Sequence, residues 1–426
     1  MVEVTPFRGL RYAPKLRHQP VYSPPYDVID TAERERLLAS SPYNVVHVTL
    51  GPKNAPEHWY QEAAQRLSQW RAQGILLRDQ TPALYAYEQA FDGPEGPPLV
   101  RRGLFARVRL VPWGEGIHPH ERTHSGPKAD RLRLMRSLHA QESPVFGLYR
   151  DPEGALEKLL GAAPADTITT TDADDVRHTC WKVTDRQILD QAATFLRSRD
   201  VVIADGHHRY ETALAYRDEV RRQRPAGSQT GAHDYVFMYL TAAESPGLVI
   251  LPTHRIVTTP LPVGDDQLRA ALASSFELRP VTCDENLPSA IAARHNGELS
   301  LGMRLPSGAW TLTLRDRKMA HSAIADGQPE ELAELDVCVL QNLVLAPHLG
   351  ISSEDLTHGD AVRYTIHPKE ACAAVAEGQA AAAFLLGPTA TEQVWRVAVA
   401  GVTMPQKSTY FYPKLLTGLV MNPLVD

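Results

Sequence analysis

The chain has 426 residues, of which 43% are hydrophobic and 22% charged, with a formal net charge of −6 and a pI near 6.3. That length buries a sizeable core and accommodates two or three domains, and the balance of apolar and charged residues excludes a disordered chain. The acidic balance argues against a general nucleic-acid binder, and no apolar run reaches the roughly 18 residues that a membrane helix needs.

Four cysteines, Cys180, Cys283, Cys338 and Cys372, lie far apart in the sequence. This spacing favours neither a disulfide framework nor a zinc ribbon and suits a reducing cytosol. The opening "MVEVTPFRGLRYAPKLR" lacks the apolar region of a signal peptide. The expectation is a soluble cytoplasmic protein with a small-molecule ligand and neither nucleic acid nor membrane as partner.

In chain order, "SPPYDVID" is extended, because a residue before proline is pushed out of the helical region. Asp30 or Thr31 then caps a short helix ending before Pro42, and "YNVVHVTL" reads as a strand. A helix is expected over about residues 57–73, stopped by Gly74. "ALYAYEQAF" and "VRRGLFARVRL" predict a hairpin around "DGPEGPP". A polar loop, "IHPHERTHSGPKADRL", leads into a helix from Ala129 to His139, followed by the strand "SPVFGLY". Thr184 is placed to cap a helix through Arg197, and "VVIA" is a short buried strand feeding a helix that runs to about Arg222. "YVFMYLTA" and "LVILPT" are further strands, so this half alternates in the manner of an α/β or α+β sheet domain.

From about residue 256 the chain changes character at the Pro- and Thr-rich "VTTPLPVGDDQ". The expected division is therefore a catalytic region over 1–256 and a C-terminal α/β region over 257–426 that returns to the active site. The second region holds a helix near 265–275, the hairpin "SLGMRLPSGAWTLTL", a long apolar helix near 330–346 and an alanine-rich helix and strand in "ACAAVAEGQAAAAFLL".

Three stretches carry the candidate chemistry. In "VVIADGHHRYETAL" a buried strand ends at Asp205 and Gly206, and a helix starts at once, so backbone N–H groups and the positive end of the helix face the corner. Such a corner binds anions. Gly206 lets a ligand approach the backbone, Arg209 offers a planar fork for phosphate oxygens, and His207 and His208 point about 100° apart, too far to share one metal. Asp205 is a candidate to accept a hydroxyl proton or to hold Mg²⁺.

The second stretch is the loop with His118, His120, Glu121, His124, Lys128, Asp130 and Arg131. Its three histidines lack a recognised zinc spacing, and no metal ligand set is expected. Glu121 is a candidate general base; His120, Lys128, Asp130 and Arg131 are candidates to hold a transferring phosphoryl group. In the third, "MPQKSTYFYPKLLTG", Lys407, Ser408, Thr409 and Lys414 are candidate phosphate contacts, although no glycine-rich P-loop precedes them. Asp27, in the rigid "SPPYDVID" turn, is a further candidate acid.

Taken together, "PPYDVI", "PYNV", "PHERT" followed by "DRLRLM", "ADGHHRYETAL" and "MPQKSTYFYPKL" resemble domain-of-unknown-function family 1015 over nearly the whole chain. The Asp-Gly-His-His-Arg block is also similar to that of free-serine kinases of the ParB and sulfiredoxin-like fold. That second resemblance implies a mixed-sheet α/β protein with a ParB/sulfiredoxin-like core, additional sheet and a C-terminal α/β region. It implies phosphate binding at Gly206, His208 and Arg209 and a helping role for Asp205 in activating a substrate hydroxyl. The expected activity is transfer of a phosphoryl group to free serine or a similar small hydroxylated metabolite, with ATP, ADP or pyrophosphate as donor and Mg²⁺ as cofactor. A phosphatase acting on a compound such as phosphoserine, or a nucleotide-binding regulatory protein, are the alternatives.

Overall fold

In the computed structural model the chain divides into two compact units, one built from residues 1–118, 124–249 and 413–426, the other from 119–123 and 250–412. The structure describes all residues except 94–95, 122–124, 165–166, 226–228, 283, 293–297, 325–328, 359–360 and 426, and the side chains of 125–127 and 357–358. His124 and Cys283 therefore lie outside the described residues; the other three cysteines are buried and form no disulfide. No described helix is long and apolar enough to cross a membrane.

The fold class is mixed α/β. In the first unit nine strands form one sheet: β1 (Val4–Thr5), β2 (Leu84–Asp92), β3 (Pro98–Arg109), β4 (Ile117–His118), β5 (Val145–Tyr149), β6 (Ile168–Thr171), β7 (Arg177–Val183), β8 (Val201–Asp205) and β9 (Tyr235–Ala242). Their order is β4-β8-β5-β9-β3-β2-β7-β6, with β1 paired to β3. The sheet is mixed, since β8 runs parallel to β4 and antiparallel to β5, while β9 runs parallel to β5 and antiparallel to β3. β5 and most of β8 are buried on both faces, which is why "VFGLY" and "VVIA" read as continuous apolar runs.

Around this sheet lie α1 (Thr31–Ser40), α2 (Glu57–Ala72), α3 (Ser125–Leu138), α4 (Arg186–Arg197) and α5 (His207–Gln223). Asp30 caps α1 by accepting from the Glu33 N–H at 2.7 Å, and α2 stops before Gly74, whose φ of 68° breaks the helix. Asp185, not Thr184, caps α4, accepting from the N–H groups of Gln187 and Ile188. The expected strand in "YNVVHVTL" is instead a helix turn over Val46–Thr49. The Asn44 side chain accepts from the Val46 N–H, and the Thr49 hydroxyl donates to the Val45 carbonyl. These local bonds close the turn, and its alternation of apolar and polar residues reads as a strand.

The second unit has a fully antiparallel sheet of six strands: β10 (His254–Val257), β11 (Phe276–Val281), β12 (Ser300–Leu305), β13 (Gly308–Leu314), β14 (Val362–Thr365) and β15 (Ala382–Leu385). Their order is β11-β13-β12-β15-β10-β14. The hairpin over 300–314 and the alanine-rich helix and strand occur as expected, the latter as Pro368–Ala376 followed by β15. The long helix expected near 330–346 is broken: a 3-10 turn covers Glu330–Glu334, and the helical run from Asp336 to Leu349 contains a π-helical stretch at Gln341–Leu345. Pro347 explains part of this, because it cannot donate to the preceding turn.

His254 on β10 is buried, and its Nδ1 accepts the Leu386 N–H at 3.2 Å. Burial, with Arg255 and His367 nearby, lowers its pKa from 6.5 to about 4. The unfolded chain therefore takes up a proton that the folded chain refuses, so stability is full above about pH 6.5 and declines as pH falls toward 4. The loss expected from this one residue is about 3 kcal/mol. Urea unfolding at pH 7.5 and 4.5 should show a smaller pH-dependent loss in His254→Asn, which keeps an acceptor but does not titrate.

Candidate functional site

The corner after β8 is formed by packing and by one glycine. Val201, Val202 and Ile203 are wholly buried, and the register of β8 against β5 shifts between Ile203 and Asp205, so the strand breaks where the acid appears. Gly206 is the residue before the helix, with φ at 93°. A Cβ there would stand 2.9 Å from Arg209 Nε, so the side-chain space at Gly206 is taken by the guanidinium of Arg209. The start of α5 is anchored by Tyr210, whose hydroxyl donates to the Val111 carbonyl at 2.8 Å and whose ring stacks on Trp113.

Asp205 is shared by two cations. Arg209 Nη2 donates to its Oδ1 at 3.2 Å, and Lys414 Nζ donates to its Oδ2 at 2.9 Å. Arg209 also donates to the Pro144 carbonyl. Burial would lower the Arg209 pKa, but Asp205, Asp27, Tyr26 and Glu142 together hold it above its ordinary value. The guanidinium stays charged.

A third cation joins the same neighbourhood. Arg131 on α3 is buried, donates to the Thr49 carbonyl at 2.7 Å and to Asp130 at 2.8 and 2.6 Å, and lies over the ring of Tyr26 at 4.2 Å. Asp130 also accepts the Tyr60 hydroxyl at 2.6 Å. Burial, reinforced by Asp27, pushes the Tyr26 phenol up to about 12 against the opposing pull of Arg131 and Arg209. Between Arg131 and Arg209 is a void of 20 Å³, lined also by Glu142, Ser143 and Thr212.

Glu142 is the residue that the sequence reading missed. It is buried 3.6 Å from Arg131, and burial raises its pKa despite the pull of Arg131 and Arg209. The available signal was an acid immediately before the strand run "SPVFGLY". A second omission is Arg101, wholly buried on β3, which donates to Gln89 and to the Pro413 carbonyl, while Gln89 donates to the Lys414 carbonyl at 2.8 Å. These two side chains fix the backbone that carries Lys414.

The remaining candidates have the following places. His207 is buried and His208 half-buried on the first turn of α5, and Lys128 pairs with Glu211 of that helix at 2.7 Å. His120, Glu121, Lys407, Ser408 and Thr409 belong to the second unit. There His120 bonds the Thr409 hydroxyl at 2.9 Å, and Glu121 bridges to Met404. The Ser408 hydroxyl is turned inward to the Pro405 carbonyl at 2.5 Å, and buried Arg255 holds the Lys407 carbonyl at 3.1 Å. Lys407 itself is exposed. Among the described residues no group of three or more His, Cys, Asp or Glu side chains is placed to hold a metal ion.

Residues 4–338 match the family model described as "Protein of unknown function (DUF1015)". The chain belongs to this family. No curated protein is significantly similar to this DUF1015 chain. Its backbone is similar to that of a conserved hypothetical protein from Pyrococcus furiosus, at 12% identity and a TM-score of 0.35, over 74% of this chain and 95% of that one. It is similar also to a free serine kinase in complex with AMP, at 11% identity and a TM-score of 0.36, over 74% and 92% of the two chains. A third is SbnI with a C-terminal truncation from Staphylococcus aureus, at 10% identity and a TM-score of 0.36, over 74% and 87%.

The geometry at Gly206 makes a direct prediction. Gly206→Ala forces a side chain into a left-handed conformation and against Arg209, which should cost about 1–3 kcal/mol of stability. Its urea midpoint should fall accordingly.

Proposed function

We propose that the protein is a small-molecule phosphotransferase with a ParB/sulfiredoxin-like core, moving a phosphoryl group from ATP, ADP or pyrophosphate to the hydroxyl of free serine or a similar small metabolite. The observation that carries this reading is the sharing of Asp205 between Arg209 and Lys414 at a strand end that opens directly into a helix. The likeness of the Asp-Gly-His-His-Arg block to that of free-serine kinases supports it.

Phosphoryl transfer needs charge neutralisation and alignment more than covalent chemistry. Arg209 supplies a planar fork, Lys414 a point charge and the first turn of α5 its positive end. In the resting corner these cations are occupied by Asp205. An incoming phosphate takes over the same cations and releases the Asp205 carboxylate, which then accepts the proton of the attacking hydroxyl. The cations thus need no desolvation at the moment of reaction, because they are already buried and aligned.

Mg²⁺ is held in such reactions by one or two carboxylates together with the donor's phosphates. With Asp205 serving as the base, Asp27, close enough to Arg209 to act on its charge, is the carboxylate that would hold it here beside the donor's phosphates. The cation would neutralise the donor phosphates. His208 and Lys128 are the further phosphate contacts in this unit.

The test is thermal stability against ATP, ADP, CTP, pyrophosphate, serine, phosphoserine and Mg²⁺, singly and in pairs. A ligand at about 100 times its Kd stabilises by about 2.7 kcal/mol. A shift with a phosphate donor that serine enlarges, followed by phosphoserine in the product mixture, is the expected result. Lys414→Ala and Arg209→Ala should each weaken donor binding by about 1.5–3 kcal/mol. Absence of any shift with every phosphate compound would overturn the proposal.

A further inference from the structure

Arg131 has a second face. Besides the small void toward Arg209, it lines an open cleft of 680 Å³ in the first unit, formed by the start of α1, the loop 50–55 and the middle of α3. Cavities of roughly 300–1,000 Å³ are the usual size for small-molecule and cofactor sites. The cleft is therefore large enough for a ligand much bigger than one phosphate.

Its charge is uneven. The lining residues include four cations, Arg34, Lys53, Arg131 and Arg133, and two carboxylates, Asp30 and Asp130, a balance of +2. Both acids are already engaged, Asp30 as the cap of α1 and Asp130 with Arg131 and Tyr60. Arg34 bonds the Leu50 carbonyl at 3.1 Å and pairs with Glu35 at the same distance. Lys53 and Arg133 are exposed, and Arg133 donates to the Tyr60 hydroxyl rather than to a carboxylate. Asn54, beside Lys53, is left-handed at φ 57°, which turns the loop sharply at the rim.

The aromatic content is small. Tyr60 is the one aromatic among the described lining residues, and it is buried with its hydroxyl committed to Asp130. A base-stacking platform is therefore missing from the cleft wall, whereas charge is plentiful. Exposed cations in excess over acids on a concave wall concentrate anions at that wall.

We propose that this cleft is the entry and holding site for a ligand with two or more linked phosphates, a pyrophosphate or the diphosphate end of a nucleotide. Lys53 and Arg133 hold the outer phosphate, and Arg131 forms the wall common to the cleft and the Asp205 corner. The proposal deepens the phosphotransferase reading and rests on it. Recognition is by charge, so pyrophosphate and ADP bind with Kd values within about tenfold of each other.

The experiment is calorimetric titration of the full chain with pyrophosphate and with ADP, on the native protein, on Lys53→Ala/Arg133→Ala and on Lys414→Ala. Lys53 and Arg133 are exposed, so the double variant should keep its unfolding temperature, which circular dichroism checks. The expected result is a Kd raised about tenfold or more for both ligands in the double variant, with stronger salt sensitivity in the native protein. Unchanged affinity in the double variant beside weakened affinity in Lys414→Ala overturns the cleft and leaves the corner standing. ADP binding far more tightly than pyrophosphate overturns recognition by charge. No binding of either ligand to the native protein overturns the cleft and the phosphate reading together.

Discussion

The carboxylate of Asp205 is a charge at the end of a buried strand, and the first unit is arranged around neutralising it. A charge removed from water is tolerated only when it is paired and hydrogen-bonded. Arg209 supplies the pairing from four residues away in the chain and Lys414 from 209 residues away. The segment 413–426 is thereby part of the first unit, where Thr417 bonds Ser143 and Asn422 bonds both Arg107 and Gln141. Arg101 and Gln89, buried within the sheet, hold the backbone from which Lys414 projects.

The same constraint explains why the surrounding charges alternate. Arg131 pairs with Asp130 and approaches Glu142, and Arg209 lies within the influence of Asp27 and Glu142. Each buried guanidinium keeps its charge because the acids around it outweigh the cost of burial. Glu142 goes the other way, because burial outweighs its two arginine neighbours. A preformed cluster of this kind suits anion chemistry, since the cations are oriented before a ligand arrives. It is also a liability for stability, because removal of one member leaves another buried and unpaired.

Local signals made part of this legible. The strand, glycine and helix of "VVIADGHHRYETAL" follow from an apolar run, a residue suited to left-handed backbone and a helical pattern, and all three occur where expected. Asp205, Gly206 and Arg209 were identifiable because they are neighbours in sequence. The turn at Val46–Thr49 was not, because four residues that alternate apolar and polar read as a strand, and its bonds come from Asn44 and Thr49. The break in the helix after residue 330 was likewise hidden, because the residues on both sides of it are good helix formers.

The sequence by itself determined the family, the mixed α/β class and the strand–glycine–helix turn of the Asp-Gly-His-His-Arg corner, because each rests on contiguous residues and local backbone preference. Tertiary structure alone decided which cations reach that corner. Lys407 and Lys414 look alike in "MPQKSTYFYPKL", yet Lys414 belongs to the first unit and bonds Asp205, while Lys407 belongs to the second unit and is exposed. It also decided that Glu142 and Arg101 matter, since each acts through partners distant in the chain. Long-range pairing is set by which surfaces the sheet and helices bury together, and no short window of sequence contains that information.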